Sequence, residues 1–115
     1  MLNLDNLREI ADGDETFIVE VLTVFLKKEA EYAGALKKAI KTQDMEMLRQ
    51  ITHKIKSSIS VLGMDEFRQN LHYLEKGVEN GSLEMSKTIS LAEAALDEFY
   101  ESLEAAKKVL ATLAN

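Results

Sequence analysis

A histidine at position 53 is followed by Lys56 and by serines at 57 and 60. Leu48, Ile51, Ile55, Ile59 and Leu62 recur at steps of three, four, four and three, which predicts a helix with one apolar stripe. At about 100° per residue, His53 points roughly 160° away from that stripe. A ring placed there adds nothing to a core and meets solvent. Its neighbours at three- and four-residue spacing are Arg49, Gln50, Lys56 and Ser57, with Ser60 further along. The chemistry this suits is phosphoryl transfer, because a neutral imidazole is nucleophilic near the pH at which histidine titrates. Lys56 can meet phosphoryl oxygens as a mobile point charge. Arg49, Gln50 and Lys54 would form a mostly basic rim for an acidic partner to dock on. Ser57 and Ser60 are small enough to let that partner bring its own reactive group to the ring.

An exposed histidine can also be an ordinary surface residue, and the chain supplies its own contrast. His72 lies roughly 130° off its helix stripe on the same wheel. Its neighbours Arg68, Gln69, Glu75 and Lys76 are long and of mixed charge, which reads as a solvated face and nothing more. His53 differs in its small neighbours and in charge of one sign.

The elements that must hold these groups are helical throughout. The 115 residues contain no proline and five glycines, and no strand-like alternation is evident. Leu4 to Ala11 reads as a short helix stopped by Asp12-Gly13. Asp14 is the N-cap candidate of a long helix carrying Phe17, Ile18, Val21, Leu22, Phe25, Tyr32, Leu36 and Ile40 as far as about Lys41. Gly34 inside it marks a weak point or a close helix contact. Asp44 is the N-cap candidate of the histidine helix, which Gly63 ends in a left-handed conformation. A fourth helix starts near Asp65 and stops at Asn80-Gly81. The last is a heptad seam through Ile89, Ala92, Leu96, Phe99, Leu103, Ala106, Leu110 and Leu113. None can bury its stripe alone. The expected fold is all-α, an antiparallel up-down four-helix bundle with a short extra N-terminal helix, forming a single domain over residues 1–115.

Composition excludes several function classes. With no cysteine there is no disulfide, thiol chemistry or Cys-based zinc site. Two histidines do not make a metal site with the carboxylates available, so no metal is expected in this chain. The net charge of −6 argues against nucleic acid. No window approaches the roughly 18 apolar residues of a membrane span, and the N-terminus lacks a signal-peptide pattern, so the expected location is the cytoplasm. Gly77 and Gly81 lack the lysine-serine sequel of a phosphate loop. The methionines read as core filler, and Lys27-Lys28 and Lys37-Lys38 as solvated faces.

The order His53, Ile55, Lys56, Ser57, then Leu62-Gly63 resembles the signature of histidine-containing phosphotransfer (HPt) domains of multistep phosphorelays. Upstream, Leu4 to Leu7, Gly13-Asp14-Glu15, Phe17-Ile18 and Phe25-Leu26 are similar to that family's entry into its first long helix. The resemblance covers nearly the whole chain. It implies a phosphocarrier with no ATP site and no kinase activity of its own. His53 would take a phosphoryl group from the phosphoaspartate of one response-regulator receiver domain and yield it to the aspartate of another. Lys56 would steady the phosphate, and Gly63 would close the histidine helix. The divalent metal would belong to the receivers, one of which could sit in a hybrid sensor kinase. One departure stands out: Ser57 occupies a position where the family usually has glycine. Its hydroxymethyl group is still small and could orient the ring by a hydrogen bond.

Two other functions fit a helical bundle with an exposed histidine. One is a degenerate bundle that docks receivers without accepting phosphate. The other is the phosphoacceptor and dimerisation domain of a sensor kinase, which builds its bundle from two hairpins of a homodimer. Four amphipathic helices in one chain predict a monomer instead.

Overall fold

Two carboxylates and one amide cap the starts of three helices. In the computed structural model, which describes residues 2–114, Asn3 accepts from the Asn6 N–H at the head of α1 (Leu4–Ile10). Asp14 accepts from the N–H groups of Thr16 and Phe17 at 3.0 and 3.3 Å and opens α2 (Glu15–Lys27). Asp44 accepts from Met47 N–H at 3.0 Å and opens α4 (Met45–Ile59). Both aspartates are the caps expected from the sequence. Gly81, at φ 61°, ends α5 (Asp65–Asn80), again where expected. The 30-residue α6 (Met85–Ala114) spans about 45 Å at 1.5 Å per residue. That nearly matches the 46 Å long axis of the molecule.

The long helix predicted from Asp14 to Lys41 is two helices, α2 and α3 (Glu29–Thr42). The break falls at Lys28, whose N–H reaches back only three residues, to Phe25 O at 3.1 Å. Neither glycine nor proline marks it. Phe25 and Tyr32, on either side, both pack on Phe99, at centroid distances of 6.0 and 6.1 Å, so core aromatics hold both pieces. Gly34 is exposed with open space around it, so it is neither the weak point nor a close helix contact.

All the regular structure among the described residues is helical. α3 packs on α4 and α6, α5 packs on α4 and α6, and α2 packs on α6. The core lies between them, with Leu22, Leu36, Leu48, Ile55, Leu74 and Phe99 wholly or almost wholly removed from solvent. The α6 seam contributes Ala92, Phe99, Leu103 and Ala106 as buried residues, while Leu96, Leu110 and Leu113 are half-buried against the core.

The end of α4 is clamped. A 3₁₀ turn, Ser60–Leu62, continues it to Gly63 at φ 67°. The Asn3 N–H bonds Leu62 O at 2.9 Å, and the Asn6 side-chain amide donates to Val61 O at 3.3 Å. A Cβ on Gly63 would stand 2.6 Å from Asn3 Cβ, so glycine is required there for close approach as well as for its positive φ. α1, with Leu7 fully buried, thus straps the far end of the helix that carries His53.

Candidate functional site

Because Leu48, Ile51, Ile55 and Ile59 turn α4 toward the core, His53 faces outward, and 58% of its side chain is exposed. The ring is nevertheless held on one side. Its Nδ1 stands 3.3 Å from each carboxylate oxygen of Glu75, on α5. A carboxylate can only accept, so Nδ1 carries the proton and donates. In the neutral ring the Nε2 lone pair is then left free. Lys56, one turn along α4, donates to Glu75 Oε1 at 2.9 Å and lies 3.3 Å from His72 Nδ1. Two cation-forming side chains of α4 therefore meet on one acid of α5.

Glu75 is 3% exposed. Burial pushes its carboxyl up, but the hydrogen bonds and charges of Lys56 and His53 outweigh that and hold it below the ordinary carboxylate value. A buried carboxylate is tolerable only with such partners.

Sequence reasoning read Glu75 as part of a solvated face, and the structure corrects this. The signal was present: position 75 lies four residues after Leu71 and three before Val78, on the apolar side of α5. His72 is exposed as expected, but its contact with Lys56 makes it more than a solvated face.

The remaining predicted residues are placed unevenly. Ser57 is exposed one turn beyond His53, and the imidazole Nδ1 is engaged by Glu75 rather than by the Ser57 hydroxyl. Ser60 is exposed, but its hydroxyl donates to Ser57 O at 2.8 Å and so turns along its own helix. The basic rim is not of one sign. Glu46 accepts from Arg49 at 2.6 Å and from the Gln50 amide at 3.1 Å. Lys54 is exposed.

A second feature also escaped the sequence reading. Phe17 and Val24 of α2, placed at helical spacing with Val21, are exposed by 41% and 56%. With Phe25, Ser58 and Val61 they line a shallow apolar groove beside the end of α4. Phe17 was expected in the core. The clue was an apolar stripe on α2 wider than one buried face requires, since Ile18, Leu22 and Phe25 already supply that face.

No group of three or more histidine, aspartate or glutamate side chains able to hold a metal occurs among the described residues. A family model for the Hpt domain matches residues 20–108. The chain belongs to the Hpt domain family. It is accordingly a histidine phosphotransfer intermediate of phosphorelays, a family of phosphocarriers that work with receiver domains and kinases. In fold it is similar to histidine-containing phosphotransfer protein B from Pseudomonas aeruginosa PAO1, with a TM-score of 0.80 and 22% identity. That likeness covers 96% of this chain and 95% of the other. Comparison with curated proteins gave no match. No helix among the described residues is long and apolar enough to cross a membrane.

Proposed function

We propose that His53 is the phosphoacceptor of this Hpt domain. The observation that carries the assignment is the His53 Nδ1–Glu75 contact, with Lys56 on the same carboxylate. Nε2 attacks the phosphorus of a receiver's aspartyl phosphate. The Nε2–P bond forms, the P–O bond breaks, and the aspartate leaves as a carboxylate. The ring keeps its Nδ1 proton and becomes cationic, and Glu75 stabilises that charge without taking the proton. A phosphoryl group on a cationic ring remains a good donor, so the same geometry runs the step in reverse. Lys56 steadies the phosphoryl oxygens, and the metal is the receiver's.

The receiver docks over Ser57 and the groove of Phe17, Val24 and Val61. That groove adjoins Ser58, one residue from Ser57. Lys54 and Arg49 supply the rim, and Gln50 adds a neutral donor. The packing of the helices fits an antiparallel up-down bundle of four columns, with α2 and α3 as one column and α1 added. The proposed working form is a cytoplasmic monomer.

Incubation with a phosphorylated receiver should place acid-labile, alkali-stable label on the protein, and His53→Gln should lose it. The chain has two histidines, so label that survives in His53→Gln would shift the assignment to His72. Docking is tested separately. Ser57→Gly should retain transfer, whereas Ser57→Leu should slow it by roughly two orders of magnitude by displacing the approaching aspartate. Equal rates for Ser57→Leu and the parent would refute the steric role.

A further inference from the structure

We propose that His72 is a positioning residue for Lys56, acting in its neutral form and therefore making phosphotransfer through His53 sensitive to the protonation of a second histidine. This rests on the assignment of His53 as phosphoacceptor.

An ammonium has three N–H donors and no acceptor. The Lys56 Nζ–His72 Nδ1 contact at 3.3 Å can be a hydrogen bond only if Nδ1 brings a lone pair. The His72 ring must then carry its proton on Nε2. The two histidines thus take opposite tautomers around one Lys–Glu pair: His53 donates from Nδ1, and His72 accepts at Nδ1.

Positions 72 and 75 lie three apart on α5 and share a face, so α5 presents two acceptors to one lysine of α4. Lysine is ordinarily a mobile charge on a long stem. Lys56 is only 19% exposed and is held from two directions, which leaves its third N–H for a phosphoryl oxygen. Without His72, the ammonium is drawn onto Glu75 alone and competes there with His53 Nδ1.

Protonation of His72 removes the lone pair and sets two cations against each other. Lys56 is the group of α4 that reaches the ring. On α5, Arg68, Glu75 and Lys76 lie one turn away, with Glu75 engaged by Lys56 and His53 and Lys76 paired to Glu79 at 3.0 Å. From α6, Glu98 meets α5 at Asn70, two residues from His72.

The test compares transfer rates and imidazole nitrogen spectra in the intact protein. His72→Ala should slow transfer roughly three- to ten-fold, the span of one modest hydrogen bond. His72→Asn, whose side-chain oxygen can stand in for the Nδ1 acceptor without titrating, should restore most of the rate. It should also lose less of that rate than the parent on acidification, because asparagine keeps its acceptor whatever the pH. Adding His72→Ala to Lys56→Ala should change nothing further. Long-range ¹H–¹⁵N spectra should show neutral His72 protonated at Nε2 and neutral His53 at Nδ1. A neutral His72 protonated at Nδ1, or a His72→Ala protein with the parent's rate and pH profile, would overturn the proposal. Loss of label in His53→Gln under the same conditions keeps that outcome apart from the assignment of His53.

Discussion

α5 makes a glutamate contact with each of its two large neighbours, and the two contacts behave in opposite ways. At the α4–α5 seam, Glu75 is almost fully buried and its carboxyl is held below the ordinary value. At the α5–α6 seam, Glu98 is only half-buried, yet its carboxyl is pushed above that value. Burial works upward in both cases and is the largest single cause in each. The neighbours decide the outcome. Glu75 receives Lys56 and His53, whereas Glu98 receives the neutral Asn70 amide at 3.3 Å and faces the negative charges of Glu101 and Glu66. Surface exposure alone would rank the two acids the wrong way round. A deeply buried acid that still prefers its charge marks the seam where an exposed imidazole is held by its inner nitrogen.

The comparison breaks most readily at Glu75. Glu75→Ala removes the acceptor shared by two side chains. A buried pair broken from one side can cost several kcal/mol, but Lys56 and His53 retain enough exposure to rehydrate, so the expected loss is about 1–2 kcal/mol. Denaturant titration measures it. Glu75→Gln keeps an acceptor in place and should cost less. The folded-state pKa of Glu75 lies below its unfolded value, so the contribution of its charge is complete above the ordinary 4.5. It fades as the pH falls through the lowered folded value. The gap in stability between the parent and Glu75→Gln should therefore close on acidification below about 4.5. A gap independent of pH would mean that shape, not charge, is what Glu75 contributes.

What could be read from the sequence follows the same division. The α6 seam was legible because a stripe of apolar residues has a period, and Ala92, Phe99, Leu103 and Ala106 are buried where that period places them. The outward turn of His53 was legible for the same reason, as were the Asp14 and Asp44 caps and the left-handed Gly63. Glu75 was not, because its partners lie on another helix. Spacing within α5 shows that position 75 borders the apolar face, but not that Lys56 and His53 meet it there. The break at Lys28 was hidden for a related reason. It arises from a local tightening of the backbone between two aromatics packed on Phe99, with no glycine or proline to announce it. Phe17 was misplaced because periodicity reports the direction of a face and not whether another element covers it.

The smallest effect should come from the opposite seam. Glu98 has a folded-state pKa above its unfolded one, so the stability linked to its proton is present at low pH and lost as the pH rises through the raised value. At neutral pH its charge is a liability next to Glu101 and Glu66. Glu98→Gln removes that charge while keeping an oxygen for the Asn70 amide, and should raise stability by roughly a few tenths of a kcal/mol, since the group is half in water. The gain should vanish in acid, where the parent's own carboxyl is protonated. This is the reverse of Glu75→Gln, which loses stability at neutral pH and converges with the parent in acid. Phosphotransfer should be unaffected in Glu98→Gln, because no contact links Glu98 to His53 or Lys56 among the described residues. Two isosteric substitutions with opposite signs at neutral pH would establish that neighbouring charge, not burial, separates the seams. A loss of stability in Glu98→Gln would instead show that its charge is satisfied where it stands, and the contrast with Glu75 would fail.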